Sequence, residues 1–294
     1  MPAVDLLHGL VVAAYGKRYE VELAGDGRRE VIDCVTRGKK NDVACGDQVS
    51  LRLTGKHQGV IEEILPRTSL LYRSNAYRSK LLAANVTQVV IVLATVPSFY
   101  EELLNRCLIA AEAAGIKPLI VLNKCDIGDS TAALERLKPY ASLGYAVQPL
   151  SARQDIESLK PHLKGQTSIL VGQSGMGKST IINALLPHAN ARTREVSDVL
   201  DSGKHTTTAT HLYHLDDSSS LIDSPGLQEF GLYHVSIEEL ERAFVEFRPH
   251  LGKCRFANCR HMKEPGCAVM QALTDNTVTD FRLHSYQRLV NELN

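Results

Sequence analysis

The first part of the chain carries short segments in which apolar and polar residues alternate. Gly and Asp residues separate these segments, and alternation with a period of two is the pattern of half-buried β-strands. Strands are predicted at 9–12, 19–23, 30–35 and 48–53. Short strands at this spacing favour a small all-β barrel over residues 1–66.

Two basic stretches in this part of the chain are candidate RNA contacts. An oligonucleotide-binding (OB) barrel is one form that such strands take, and its loops suit RNA. The cations concerned are Arg37, Lys39 and Lys40 in one loop, and Arg73 and Arg78 in a basic segment at 67–80. A solvated turn on a structural barrel and a plain interdomain connection explain the same residues, so both interpretations stay open.

From residue 85 onward the pattern changes to apolar strands that alternate with amphipathic helices. Apolar runs at 88–93 and 118–122 predict buried strands, and residues 100–114 between them predict a helix. This βαβ order indicates a parallel α/β sheet. The same patterns predict a strand at 145–150 and helices at 236–247 and 279–293.

A phosphate-binding loop follows a short apolar strand. Residues 172–179 fit G-x-x-x-x-G-K-[ST], and an amphipathic segment comes next. Backbone N–H groups and the following helix start can bind phosphate, Lys178 can neutralise the β- and γ-oxygens, and Ser179 can reach Mg²⁺. The predicted contacts are Gly172, Gln173, Ser174, Gly175, Met176, Gly177, Lys178, Ser179 and Thr180.

Two short motifs ahead of this loop suit guanine. Asn123, Lys124 and Asp126 follow a predicted strand and match N-K-x-D, at the strand end where α/β sheets bind ligands. Asp126 can accept hydrogen bonds from guanine N1–H and the exocyclic amine, a donor pair that adenine does not present. Ser151 and Ala152 follow the next strand, and the backbone of such a pair commonly meets guanine O6.

Residues beyond the loop complete a candidate site for a nucleoside triphosphate. Asp223 ends an apolar run and begins D-x-P-G, in which it can hold Mg²⁺ through water while the Gly226 N–H senses the γ-phosphate. Thr208, in a polar segment at 202–208, is predicted to complete the Mg²⁺ shell with Ser179 and Asp223. A mobile surface loop is the alternative, and it agrees with a switch that orders on γ-phosphate.

The order of these motifs differs from that of ordinary small GTPases, in which the phosphate loop comes first and the base-reading motifs last. Here N-K-x-D and Ser-Ala precede the phosphate loop, and D-x-P-G comes last. The order therefore indicates a circular permutation. Permutation preserves a site because contacts, not chain order, define it.

A cluster of metal-ligand residues lies near the end of the chain. Three thiolates and one imidazole are a complete tetrahedral set for structural Zn²⁺, although buried free cysteines would explain them too. Arg255 and Arg260 lie in the same loop, within a local excess of positive charge that could contact RNA. The cluster comprises Cys254, Cys259, His261 and Cys267.

The predicted domains are a barrel at 1–66, a basic linker at 67–80, an α/β domain at 81–232 and a helical zinc-binding domain at 233–294.

Composition bears on the compartment and the partners. Lys+Arg and Asp+Glu are both 33, so the total charge indicates no polyanionic partner, and any nucleic-acid surface must be local. No secretory leader is recognisable and no apolar run approaches about 18 residues, so we expect a cytoplasmic protein without a membrane partner. Seven Cys is an odd number, which suits reduced thiols and a metal site.

With its permuted motifs and its Cys/His cluster, the chain resembles the bacterial small-ribosomal-subunit-dependent GTPase A family over nearly its whole length. The resemblance implies an OB-type barrel, a P-loop GTPase domain and a zinc module. It also implies GTP hydrolysis stimulated by the small ribosomal subunit, contact with its rRNA, and a role in late maturation of that subunit. We expect the protein to act as a monomer.

One departure from the ordinary GTPase pattern concerns the attacking water. Where many GTPases carry a Gln, this chain has Leu227, which cannot hydrogen-bond to water. The resemblance points to His205 for that role, with Lys178 and Thr208 as the other catalytic residues, although a surface histidine beside a switch is the alternative.

Two rival functions stay open: an RNA-binding scaffold with structural nucleotide, and a permuted GTPase that acts on another assembly.

Overall fold

The N-terminal residues form a closed barrel, as predicted. The computed structural model describes residues 6–23, 29–38, 42–74, 79–187, 210–224 and 231–293. The first strand pairs with both the second and the fourth, which closes the barrel. Val21, Ile32 and Leu51 are fully buried inside it, because alternate residues point inward. The strands are β1 (Leu7–Tyr15), β2 (Arg18–Leu23), β3 (Val31–Thr36), β4 (Gln48–Gly55) and β5 (Gln58–Ile64).

A two-stranded hairpin follows the barrel, formed by β6 (Leu70–Ser74) and β7 (Ser79–Ala84). The segment at 67–80 that was predicted as a linker thus includes paired strands. Arg67 fixes its start, since its guanidinium donates to both carboxylate oxygens of the buried Asp47, at 2.6 and 2.7 Å. The predicted domain boundaries remain predictions.

The central part of the chain is a parallel sheet covered by helices, as the βαβ pattern predicts. A nearly continuous apolar run makes the inner strand at 88–94 buried along its whole length. The strands are β8 (Gln88–Ala94), β9 (Lys117–Asn123), β10 (Ala146–Pro149), β11 (Thr167–Val171), β12 (Thr210–His214) and β13 (Ser220–Asp223). The helices are α1 (Glu101–Ala113), α2 (Ser130–Ser142), α3 (Lys160–Leu163) and α4 (Lys178–Leu185).

The strand order brings the predicted motifs to one edge of this sheet. The order is β10-β9-β8-β11-β13-β12, and all but the antiparallel β12 run in the same direction. The carboxyl ends of β9, β10, β11 and β13 therefore meet at one edge. The barrel extends the same sheet beyond β12, because Ala13 and Ala14 of β1 pair with His211 and Thr210.

The C-terminal region contains three helices that contribute to the same hydrophobic core as α1. They are α5 (Ile237–Ala243), α6 (Ala268–Thr274) and α7 (Asp280–Leu293). Helix α5 begins with a capping box, in which Ser236 and Glu239 exchange side-chain and backbone hydrogen bonds. Phe244, Phe247 and Tyr286 are fully buried in the hydrophobic core that also covers one face of the parallel sheet. None of the helices in the described ranges is long and apolar enough to cross a membrane.

Candidate functional site

The phosphate-binding loop joins β11 to α4 and lies tightly against the neighbouring strands. A Cβ on Gly172 would stand 2.3 Å from the carbonyl oxygen of Val92, and one on Gly177 would stand 2.3 Å from Nδ2 of Asn123. Gly177 also has a φ of 93°, which side chains disfavour. Glycine is needed at both positions because a side chain there would collide with Val92 or with Asn123.

Lys178 is the first residue of α4, and its side chain is buried within the loop. Its Nζ donates to the carbonyl oxygens of Gly172 and Gln173, at 2.7 and 2.8 Å. Burial lowers the pKa of Lys178, and the nearby Asp223 opposes that shift. An ammonium group has three donors, so one stays available for a phosphate oxygen. Ser179, the next residue, is exposed to solvent.

Asn123 connects the base-reading motif to the phosphate loop. Its Nδ2 donates to the carbonyl oxygen of Met176, and its Oδ1 accepts from the backbone N–H of Ala152, both at 3.0 Å. The side chain is only 1% exposed, so these bonds are shielded from water. One amide thus joins all three loops at this edge of the sheet.

Lys124 makes a second bridge between the same loops. It adopts a φ of 61°, and its Nζ donates to the carbonyl oxygens of Gly175 and Val96, at 2.7 and 2.8 Å. These bonds hold the ammonium over the phosphate loop.

Two polar side chains near these bridges have no hydrogen-bond partner in the described part of the chain. The Ser151 hydroxyl is buried, while the Asp126 carboxylate is exposed. A buried hydroxyl without a partner is costly, and an exposed carboxylate can accept from two donors at once. Both therefore suit contact with a ligand such as guanine.

Asp223 ends β13 beside the phosphate loop. Burial raises the pKa of this carboxyl to about 6, and Lys178 counteracts part of the shift. A bound divalent cation would favour the ionised carboxylate. The partly buried Asp223 and the exposed Ser179 hydroxyl are oxygen donors of the type that Mg²⁺ prefers, so they fit the predicted Mg²⁺ site.

The remaining predicted residues of the nucleotide site lie outside the described ranges. They are His205, Thr208, Gly226 and Leu227. Their assigned roles therefore stay predictions.

The predicted metal ligands come together in one compact cluster. The four ligand atoms of Cys254, Cys259, His261 and Cys267 all lie within 4.8 Å of one another. Nδ1 of His261 stands 3.3 to 3.7 Å from the three Sγ atoms. A tetrahedron with bonds of about 2.3 Å has edges of about 3.8 Å, so these side chains can hold a tetrahedral metal ion.

Backbone and outer side chains support this cluster. The N–H groups of Ala268 and Met270 donate to Sγ atoms of the cluster, and such bonds stabilise thiolates. On the other side of the histidine ring, Nε2 of His261 lies 3.8 Å from a carboxylate oxygen of Glu241 on α5. Tyr286 of α7 donates to the same oxygen, at 3.3 Å.

The candidate RNA residues lie on different surfaces. Arg37 is exposed and its guanidinium donates to Glu62 of the barrel, at 3.3 Å. Arg255 and Arg260 are exposed in the metal-binding loop. Lys39, Lys40 and Arg78, and the side chain of Arg73, lie outside the described part of the chain.

Two features of these sites carry no recognisable signal in the sequence. The carbonyl groups of Val96, Gly175 and Met176 are acceptors that hold the base-reading motif in place. Backbone groups carry no residue-specific signal, so no motif announces them. Glu241 was missed because an acidic residue in an amphipathic helix resembles any solvated helix position.

The chain matches known proteins over most of its length. Residues 64–233 match the model of the RsgA GTPase family. A relative from Nitrosospira multiformis named small ribosomal subunit biogenesis GTPase RsgA is 53% identical over 289 residues, which are 98% of this chain and 91% of the relative. Proteins with the same name from Nitrosomonas europaea and Burkholderia pseudomallei are also 53% identical, over 98% and 97% of this chain and 92% and 91% of the relatives.

Two solved structures share this architecture. YjeQ from Thermotoga maritima has a TM-score of 0.75 and 29% identity, with 98% of this chain and 99% of that chain covered. YloQ, described as a circularly permuted GTPase, has a TM-score of 0.70 and 29% identity, with coverage of 100% and 97%. These likenesses confirm the predicted barrel, the α/β P-loop fold and the permuted order. The chain therefore belongs to the RsgA GTPase family, and it is a GTP hydrolase.

Proposed function

We propose that this GTPase binds the small ribosomal subunit through its rRNA, hydrolyses GTP to GDP and phosphate under stimulation by that subunit, and assists its late maturation. The observation that carries the proposal is the 53% identity, over nearly the whole chain, to relatives named small ribosomal subunit biogenesis GTPase. We also propose a monomeric protein located in the cytoplasm.

In this proposal, guanine binds where Asn123 and Lys124 tie the base-reading motif to the phosphate loop. Asp126 accepts from the base, Ser151 and Ala152 meet its O6, and the third donor of Lys178 goes to a phosphate oxygen. Ser179, Thr208 and Asp223 hold Mg²⁺, which neutralises charge on the β- and γ-phosphates when bound. Zn²⁺ is the ion that we assign to Cys254, Cys259, His261 and Cys267, because thiolate and imidazole ligands in a tetrahedral set suit it.

The assay that tests the function is GTP turnover with purified small subunits, with large subunits and with neither. We expect slow turnover alone, because Leu227 cannot orient water, and strong stimulation by small subunits only. Stimulation by large subunits would identify a different assembly. Tight GTP binding without turnover under any of the three conditions would favour the scaffold with structural nucleotide.

The role of His205 is tested in the same assay. We propose that it orients the attacking water once rRNA orders its loop, so His205→Ala should abolish most of the stimulation and leave GTP binding unchanged. His284→Ala is the matched control, since His284 is an exposed histidine on α7. A wild-type rate for His205→Ala on the small subunit would remove the assignment.

The base assignment is tested by Asp126→Asn. An amide at this position can donate to a second carbonyl oxygen, so binding should shift from GTP toward xanthosine triphosphate. Asp129→Asn is the control, because Asp129 is a nearby exposed residue that caps α2 and Asn serves equally well there. Unchanged GTP affinity of the Asp126 variant in a fluorescence titration would refute the role.

A further inference from the structure

The metal-binding loop presents an aromatic ring to solvent. Phe256 lies between the ligands Cys254 and Cys259, and its side chain is 42% exposed. Its neighbours Ala257 and Asn258 are exposed as well. The ligands fix both ends of this short turn, so the ring stands on a constrained segment rather than on a free tail.

Phe256 is not part of the nearby core. Phe244 and Phe247, a short distance back along the chain, are fully buried and pack on each other with their ring centroids 5.0 Å apart. The ring of Phe256 instead has the guanidinium of Arg255 5.4 Å from its centroid. Large apolar side chains are usually buried, so an exposed ring paired with a cation suits contact with a flat partner.

The charge around the ring favours a polyanion. Four exposed cations surround this turn in sequence, namely Lys253, Arg255, Arg260 and Lys263. The one acid of the loop, Glu264, accepts backbone N–H bonds from three residues of the loop at 2.8 to 3.0 Å, which directs its charge inward. The exposed charge of the loop is therefore positive.

We propose that Phe256 is a stacking platform for an unpaired base of single-stranded RNA, with Arg255 and the neighbouring cations on the adjacent phosphates. Aromatic rings accept any base by stacking, and cations beside them hold the backbone. The inference rests on the proposed function, and it deepens that function by naming the part of the RNA that this loop binds: a base that lies outside a helix.

The test compares a probe that has bases with one that lacks them. The zinc-loaded full chain is titrated against a fluorescent twelve-nucleotide oligouridylate and against an abasic ribose-phosphate chain of equal length. Phe256→Leu should weaken binding of the oligouridylate about fivefold to a hundredfold, because stacking on one base is lost. The same variant should leave binding of the abasic chain unchanged, and Phe256→Trp should restore the wild-type affinity.

Two controls separate stacking from other effects. Phe281→Leu changes another exposed ring, 48% exposed on α7, and should leave both affinities unchanged. Arg255→Gln should weaken both probes and reduce the slope of log affinity against log salt by about 0.7, the loss of one phosphate contact on a single strand.

Several outcomes would overturn the platform. Phe256→Leu could weaken the affinities for both probes equally or change neither of them. Phe256→Trp could fail to restore the affinity for the oligouridylate, or the wild type could fail to bind the oligouridylate at all. Zinc content is measured for each variant, and a loss of zinc in Phe256→Leu would show that the ring serves the metal site instead. Stimulation of wild-type GTP turnover by small subunits is scored separately, so the platform can fail while the proposed function holds.

Discussion

The N-terminal barrel joins the GTPase sheet through backbone pairing of β1 with β12 and a few side chains such as Val12 and Cys45, whereas the C-terminal helices join it through side-chain packing. Ala13 and Ala14 of β1 pair with β12, and the residues inside the barrel form a core of their own. The C-terminal helices share one hydrophobic core with the parallel sheet and α1. The two regions therefore depend on the GTPase sheet to different degrees.

A buried ion pair marks the C-terminal junction. Arg282 of α7 is 2% exposed, and its guanidinium donates to Glu246 at 2.5 Å and to Asn105 of α1 at 2.7 Å. A polar network that is buried in this way is costly to break but fixes one arrangement of the helices. The comparison predicts that the C-terminal region is sensitive to single side chains and to its metal, and that the barrel is not.

Removal of zinc should have the largest effect. Binding of a structural zinc ion is folding free energy, on the order of 10 kcal/mol in isolated zinc modules. Chelation should therefore abolish amide exchange protection in α6, which begins directly after the ligand Cys267, and in α7, while protection in β1 to β5 persists. Hydrogen exchange with mass spectrometry measures both regions at once.

The thiol control for this experiment is Cys125→Ser. Cys125 is a half-buried free cysteine outside the cluster, so its replacement should leave zinc content and exchange in α7 unchanged. Retained protection in α7 after complete zinc removal would show that the metal does not stabilise the C-terminal region.

Loss of the buried ion pair should have the next largest effect. Arg282→Met leaves Glu246 buried without its cation, which typically costs about 3–5 kcal/mol. Arg288→Ala on the same helix removes an exposed partner of Glu102 and should cost less than about 1 kcal/mol. Urea unfolding of the zinc-loaded protein measures both, and a cost under about 1 kcal/mol for Arg282→Met would contradict a structural role for the pair.

The motifs of the candidate nucleotide site can be recognised in the sequence because each lies in a short contiguous run. Gly172 to Ser179 contain their own strand, loop and helix start, and Asn123 to Asp126 follow a recognisable strand. The helix that begins after Ser236 is predicted by its pattern, and its capping box with Glu239 is visible in the sequence. Neighbouring residues along the chain are enough to predict such elements.

The junctions between regions could not be predicted because their partners are far apart in the chain. Arg282 is 36 positions from Glu246 and 177 from Asn105, and each looks like an ordinary helix residue. Pairing of β1 with β12 likewise depends on the register of two distant strands. Tertiary packing decides these contacts, and residue type alone does not reveal them.

A smaller effect is expected at the outer shell of the zinc site. Glu241 lies 3.8 Å from Nε2 of the ligand His261, and carboxylates at such positions orient the ring and raise its basicity. Glu241→Gln should weaken zinc about tenfold in competition with a chromophoric chelator. Glu238→Gln, an exposed change on the same helix, is the control, and equal zinc affinities of the two variants would exclude this role for Glu241.

The smallest effect is expected at the barrel junction. Nε2 of His214 on β12 lies 3.1 Å from a carboxylate oxygen of Glu22 on β2 across this junction, and both side chains are partly exposed. Glu22→Gln should cost less than about 1 kcal/mol in the same urea experiment, because partly exposed pairs contribute little and the backbone pairing of β1 with β12 stays intact. The difference from Arg282→Met should therefore exceed about 2 kcal/mol. A similar loss for both variants would show that side chains contribute as much to the barrel junction as to the C-terminal one, and the contrast between the two junctions would disappear.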